Sequence, residues 1–302
     1  MKRCFLGANS GRGFVSLYEG FPPEGVYLHV IKGGPGTGKS SLMKALAARA
    51  EEQGLETCRI LCSGDPDSLD GLYIPERKLA WADGTAPHVL EPALFGVTGE
   101  YWDLTPFFVL PFSREEKDRL LELQRRYRSR YREAYGLLGA CAALGGAAAE
   151  EAPGEALRAE TEGLPRRGKP GRLSRCFLSA VSCKGLLRLE EELRGLRIVS
   201  AAPSALAEAA REAQRKGWDA ILCLSPLVPE QAEALLLPEA GLAATVIHRP
   251  GEASREYLER ATELLAGAKE LHDRMEEITR PHMDFVALSR FTGEKLKALF
   301  PE

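Results

Sequence analysis

The hydrophobic run Val26-Tyr27-Leu28-His29-Val30-Ile31 breaks at a Gly-rich stretch, and the amphipathic segment Ser41-Leu42-Met43-Lys44-Ala45-Leu46-Ala47 follows it. The pattern predicts a strand over 26–31, a loop, and a helix over about 40–53 stopped by Gly54. A second apolar run predicts a strand over 57–62. The turn Ser63-Gly64-Asp65-Pro66-Asp67-Ser68, a short apolar stretch and a strand over 78–82 come next. Strands that alternate with a helix through a Gly-rich turn predict an α/β unit built on a parallel sheet. The same order returns later, as a strand over 197–201, a helix over 204–216, Gly217, and strands over 219–224 and 242–247. Each copy runs into a charged helical tail. Ser113-Arg114-Glu115-Glu116 has the form of a capping box opening a helix to about 140, and 254–280 begins with the same Ser-Arg-Glu.

The recurrence extends to residue identity. "RCFLGANSGRGFVSL" (3–17) lies against "RCFLSAVSCKGLLRL" (175–189) at a constant offset of 172. "SLMKALAARAEEQG" (41–54) matches "SALAEAAREAQRKG" (204–217), and "IPERKLA" (74–80) matches "LPEAGLA" (237–243), both at an offset of 163. Nine residues are therefore missing from the second copy, and the gap falls where the first copy keeps its Gly-rich loop. The intervening "GLLGACAALGGAAAEEAPGEA" and "GLPRRGKPGR" place a boundary near residue 170.

That loop, Gly33-Gly34-Pro35-Gly36-Thr37-Gly38-Lys39-Ser40 followed by Ser41, matches the G-x-x-x-x-G-K-[ST] phosphate-binding pattern, with a strand before it and a helix after it. Glycines let the loop turn its N–H groups inward around phosphates. Lys39 supplies a mobile charge for the β and γ phosphates, Ser40 a hydroxyl for Mg²⁺, and the helix N-terminus a partial positive charge. Such a site needs a metal-directed carboxylate at the end of a neighbouring strand, and Lys78-Leu79-Ala80-Trp81-Ala82-Asp83 ends in one; the bland reading of Asp83-Gly84 is a turn. Gly84 stands where many ATP-hydrolysing motors carry a glutamate. Neither an N-K-x-D stretch nor an L-S-G-G-Q signature occurs, which disfavours a GTPase and a transporter-type ATPase.

Asp65, Asp67 and Asp70 fall just past the second strand, at the sheet end where ligands of open α/β sheets collect. Asp65 or Asp67 is placed to accept a proton from a phosphoryl acceptor, or is ordinary turn chemistry. His88 follows Asp83 closely enough to be a second candidate. Arg126 and Arg130, one turn apart in an Arg-rich helix, form either a lid over phosphates or a solvated face.

Composition narrows the partners. The 302-residue chain carries 40 basic and 43 acidic residues, a net charge of -3, so neither a nucleic-acid nor a membrane partner is expected. The odd count of seven cysteines, mostly within apolar runs, fits reduced thiols in a cytoplasmic protein. The N-terminus lacks a leader-like apolar core.

Together, "KGGPGTGKSSLMKALA", "CSGDPDSLDGLYIPE" and "LAWADGTAPHVLEPALFG" resemble an uncharacterised bacterial family of duplicated P-loop proteins labelled ATPase or nucleotide kinase. The resemblance implies ATP binding at Gly33 to Ser41 and an α/β fold of two tandem P-loop NTPase-like units, each followed by a helical segment. The expected domains are 1–165, nucleotide-binding, and 171–302, a degenerate repeat. The chain departs from the family's two-site pattern in its second half. There Ala201-Ala202-Pro203-Ser204 offers no lysine, Pro203 has no N–H, and Val246 falls where Asp83 would be. The expectation is one Mg-ATP site using Lys39, Ser40 and Asp83, with Asp65 or Asp67 facing an unknown small-molecule acceptor. The alternative is an ATP-dependent switch or scaffold that presents a surface to a protein partner.

Overall fold

A computed structural model of the chain describes residues 1–86, 90–145, 154–246 and 251–301. In chain order the strands are β1 (Arg3–Cys4), β2 (Gly7–Ser10), β3 (Gly13–Ser16), β4 (Tyr27–Lys32), β5 (Cys58–Leu61), β6 (Leu69–Ile74), β7 (Leu79–Asp83), β8 (Gly99–Asp103), β9 (Leu173–Phe177), β10 (Ser179–Ser182), β11 (Gly185–Arg188), β12 (Arg197–Ser200), β13 (Ala220–Leu224), β14 (Ala232–Leu237) and β15 (Leu242–Thr245). The helices are α1 (Lys39–Glu52), α2 (Arg114–Ala143), α3 (Glu155–Gly163), α4 (Pro203–Arg215), α5 (Glu252–Thr279) and α6 (Phe285–Leu299). The fold is mixed α/β.

Two compact units form, and neither is a consecutive half of the chain. One joins residues 3–20 to 132–263, the other 21–131 to 264–302. This differs from the expected division into 1–165 and 171–302, and local contacts give the reason. The hairpin β2–β3 folds with the later segment. Phe5 and Phe177 exchange backbone hydrogen bonds at 3.0 and 2.9 Å, and Asn9 Nδ2 donates to Val181 O at 2.9 Å. Gly11 abuts Gly139 so closely that a Cβ on Gly11 would lie 2.4 Å from the Gly139 Cα, a contact only glycine permits. The supposed linker is docked as well. Arg167 N–H donates to Lys216 O, Gly171 N–H to Gln214 O, and Trp218 Nε1 to Pro165 O, while the Arg167 guanidinium covers the Trp218 ring at 3.4 Å.

Within the unit of 21–131 and 264–302, strands lie in the order β5-β6-β7-β4-β8. β4 runs parallel to β7 and β8, but β5, β6 and β7 form an antiparallel meander, so the sheet is mixed rather than parallel as expected. The difference is β6. Its Asp70-Gly71 reads as a turn signal, yet Gly71 sits mid-strand, where a Cβ would come 3.1 Å from Trp81 O. α1 buries Leu42, Met43, Leu46, Ala47 and Ala50, one helical face, and packs on β6 and β7. With Val30, Ile31, Ile60, Leu72, Ile74 and Trp81 this makes the core that fixes the β4–α1 junction. α2 opens as predicted. Ser113 Oγ accepts from Glu116 N–H at 3.2 Å and Ser113 N–H donates to Glu116 Oε2 at 2.7 Å.

In the other unit the sheet order is β12-β15-β14-β13-β9, also mixed. α4 buries Leu206, Ala209, Ala210 and Ala213 against it, backed by Leu157 of α3. The hydrogen-bond register recurs at the offsets found in the sequence. β2–β3 pairs Gly7 with Ser16 and Ser10 with Gly13, and β10–β11 pairs Ser179 with Arg188 and Ser182 with Gly185, a shift of 172 at every position. β5–β6 pairs Cys58 with Tyr73, and β13–β14 pairs Ile221 with Leu236, a shift of 163. Both ladders slip at the same place, between Ile60/Leu61 and between Cys223/Leu224. β4 pairs Tyr27 with Leu79 while β12 pairs Arg197 with Leu242, so the first strand is displaced by 170. The nine-residue difference in offset therefore divides into two residues before the strand and seven between strand and helix.

Candidate functional site

The β4–α1 junction is held by its own backbone. Gly36 and Gly38 have φ of 73° and 90°, which a side chain strains, and Gly38 is the N-cap of α1. Thr37 Oγ1 donates to Gly34 O at 2.9 Å, pinning the loop across its width. Lys39, the first residue of α1, folds back over the loop, and its Nζ donates to Gly33 O at 2.7 Å and Gly34 O at 2.9 Å. The same ammonium lies 3.7 Å from Asp83 Oδ2. Parallel pairing of β4 with β7 sets Asp83 opposite Ile31, just before the loop, so one cation faces loop carbonyls and a strand-end carboxylate together.

Asp83 Oδ1 accepts from Thr85 N–H at 2.8 Å and Thr85 Oγ1 at 2.5 Å. Burial pushes its carboxyl above the ordinary range, the Lys39 charge and the Thr85 hydrogen bonds pull it back, and the Asp70 charge adds to the rise. Ser40 Oγ accepts from Leu69 N–H at 2.9 Å, which ties the first turn of α1 to the start of β6 and leaves the hydroxyl a further lone pair. A small hard cation held here would take oxygens of Ser40 and Asp83 and fill the rest of its shell from phosphate and water. Among the described residues no three His, Cys, Asp or Glu are grouped to hold a metal by themselves.

These residues open onto a cleft of about 460 Å³, lined by the loop from Gly34 to Ser41, by Asp65, Asp70 and Asp83, and by residues of α2 and α5. Gly33 lies beneath it, where a Cβ would collide with Thr37 Oγ1 at 2.5 Å. Asp65 lines the cleft but is engaged. Its carboxylate accepts from Asp67 N–H and Ser68 Oγ, and Lys269 Nζ stands 3.6 Å away. Asp67 is exposed and does not line the cleft, whereas the buried Asp70 does. Arg126 and Arg130 are exposed and also lie off the cleft. His88 lies outside the described residues. Cys62 lines the wall, and burial, reinforced by Asp70, holds its thiol well above the usual value. All seven cysteines are free thiols, four of them buried.

The wall facing the loop went unread in the sequence. Lys269, His272 and Glu276 of α5, with Arg280 just beyond it, lie on one helical face and all line the cleft. The helix presses on the loop itself, since a Cβ on Gly36 would stand 3.1 Å from the Glu276 Cα. The Tyr127 and Tyr131 rings of α2, 4.9 Å apart, close the side, with Tyr127 6.1 Å from the His272 ring. Burial drives the Tyr127 hydroxyl up to about 12. The spacing of 269, 272, 276 and 280 was visible as a polar helical face, but nothing local told what that face meets.

No family model, curated protein or solved structure matches the chain. No helix among the described residues is long and apolar enough to cross a membrane.

Proposed function

We propose that the protein is a Mg-ATP-binding P-loop NTPase with a single nucleotide site at Gly33 to Ser41, which hydrolyses ATP or transfers its γ-phosphate to a small acceptor. The supporting observation is the junction itself, in which two left-handed glycines precede a helix whose first residue, Lys39, sits 3.7 Å from Asp83. Lys39 spends its hydrogen bonds on two loop carbonyls. A phosphate arriving at the loop N–H groups takes over that ammonium, and the freed carboxylate of Asp83 then faces the metal with Ser40. In this reading the two register-matched segments are a tandem duplication, the second copy lacks a nucleotide site, and the protein works in the cytoplasm.

A second reading, an ATP-dependent switch with negligible turnover, is favoured by Gly84, which leaves no carboxylate directly after Asp83 to order water. Phosphate release from bound ATP separates the two. Titration of the purified chain with ATP and Mg²⁺ tests the shared claim. Lys39→Ala removes a charged partner of the phosphates and is expected to weaken ATP binding by about 2–3 kcal/mol, roughly 30- to 150-fold. Unchanged affinity overturns the assignment.

A further inference from the structure

Among the described residues, the candidate bases that the sequence offers for the proton of an attacking nucleophile are used or misplaced. Asp65 is held by Lys269 and two turn donors, Asp67 lies off the cleft, and Gly84 has no side chain. Asp83 is tied to Thr85 and Lys39, and the charge of Asp70 acts on Asp83.

On the opposite wall, among the described residues, stands an imidazole. His272 lines the same cleft, one-third exposed, on the α5 face that presses against Gly36. Its Nδ1 stands 3.6 Å from Glu276 Oε1, one turn along the helix, and the other Glu276 oxygen accepts from Arg280 Nη2 at 2.6 Å. The three side chains, spaced four residues apart, make a row from the end of α5 into the cleft. Arg280 anchors one Glu276 oxygen, and the other faces the ring at ion-pair rather than hydrogen-bond distance, so Glu276 acts on the imidazole through its charge. Among the described residues, the charged or titratable groups that act on or contact the ring are Lys269, Asp273 and Glu276 on its own helix, Lys39 at the start of α1 and Tyr127 on α2. Burial and the two lysines hold the imidazolium below the ordinary histidine value against the pull of Glu276 and Asp273, so the ring is neutral at pH 7 and free to accept a proton.

We propose that His272, which lines the cleft with the Glu276 carboxylate facing its Nδ1, is the general base of this site, taking the proton of a water or hydroxyl nucleophile as it attacks the γ-phosphorus; this rests on the nucleotide reading above. The new P–O bond forms on the nucleophile's oxygen, the bond from the γ-phosphorus to the bridging oxygen breaks, ADP leaves with its electron pair, and the proton passes from His272 to solvent.

The test uses the full chain with Mg-ATP and water as nucleophile, measuring ATP affinity, melting temperature and phosphate release. H272A and H272Q are expected to bind ATP within about threefold of the parent, to melt with it, and to release phosphate at least about 100-fold more slowly. The parent rate is expected to fall with acid through a midpoint below the ordinary histidine value, and this limb disappears in H272Q. E276Q is expected to slow release about tenfold and to move the midpoint lower, because a charge that favours the imidazolium is gone. Release at the parent rate by both His272 variants, or a parent that binds ATP with no release, overturns the base. A parent that does not bind ATP overturns the nucleotide reading and the base together, a different and separately visible result.

Discussion

Two strand–helix junctions occupy matching places in their sheets and differ in every residue that bears chemistry. At β4–α1, Gly38, Lys39 and Ser40 open the helix, Asp83 stands on the adjacent β7 and Asp70 on β6 one strand further. At β12–α4, the positions 163 residues on are Ala201, Ala202 and Pro203, with Glu233 and Val246 in place of the two aspartates. Register, bulge and helix packing are kept. Only Ala201 and Ala202 separate β12 from α4, too few to form a loop of left-handed glycines with exposed N–H groups. The second frame therefore stands without those groups, its helix held by the burial of Leu206, Ala209, Ala210 and Ala213 rather than by anything at the helix tip.

The comparison breaks most sharply at Gly36. Val there would occupy a left-handed φ that β-branched residues avoid, with its Cβ 3.1 Å from the Glu276 Cα. Backbone strain and overpacking together cost about 4 kcal/mol, roughly a thousandfold in affinity. Gly36→Val is expected to lose ATP binding by about that factor in calorimetric titration. Binding within tenfold of the parent means that the left-handed loop is not what holds phosphate.

Next comes the carboxylate that replaces Asp70. Glu233 is buried with Oε1 unpartnered, and burial raises its carboxyl to about 7 against hydrogen bonds from Ser179 and Leu178 and the charge of Arg188. The folded state then holds this proton more tightly than the unfolded chain. Its stabilising contribution is complete below the ordinary value of 4.5 and is lost as pH rises through about 7. At about 1.4 kcal/mol per pH unit the loss is about 3 kcal/mol. Glu233→Gln is expected to flatten that decline in denaturant melts between pH 5 and 8, whatever its absolute stability. An unchanged slope means that the carboxyl is not held neutral.

How much could be read beforehand follows from the range of each interaction. Gly33 to Ser41, the capping box at Ser113 and the strands on either side of α1 are local patterns, and the sequence displays them. The α5 face is not local. Lys269 reaches Asp65 across some two hundred residues, and helical spacing alone says nothing about its partner. β6 was hidden for another reason, since a mid-strand Asp70-Gly71 imitates a turn and only the close approach of Trp81 O explains the glycine. The exchange of 3–20 and 264–302 between units was hidden by the repeat itself. Self-similarity tells which segments are alike, not which pack together, and the Phe5–Phe177 pair joins two equivalent positions to each other.

The smallest expected effect tests whether the second junction needs only its lysine. Ala202→Lys places a lysine at the position that matches Lys39, the half-buried N-cap of α4 ahead of Pro203. The added side chain would find no inward N–H groups, because only Ala201 and Ala202 separate β12 from α4, and no carboxylate at Val246 to set its ammonium. A lone ammonium on a surface contributes at most about 1 kcal/mol toward a phosphate. Calorimetric titration is expected to return one ATP per chain for the parent and for Ala202→Lys alike, with affinity unchanged within a factor of two. A stoichiometry of two in the parent would give the second junction a site of its own, and two in the variant alone would mean that the loop is dispensable and the lysine is not.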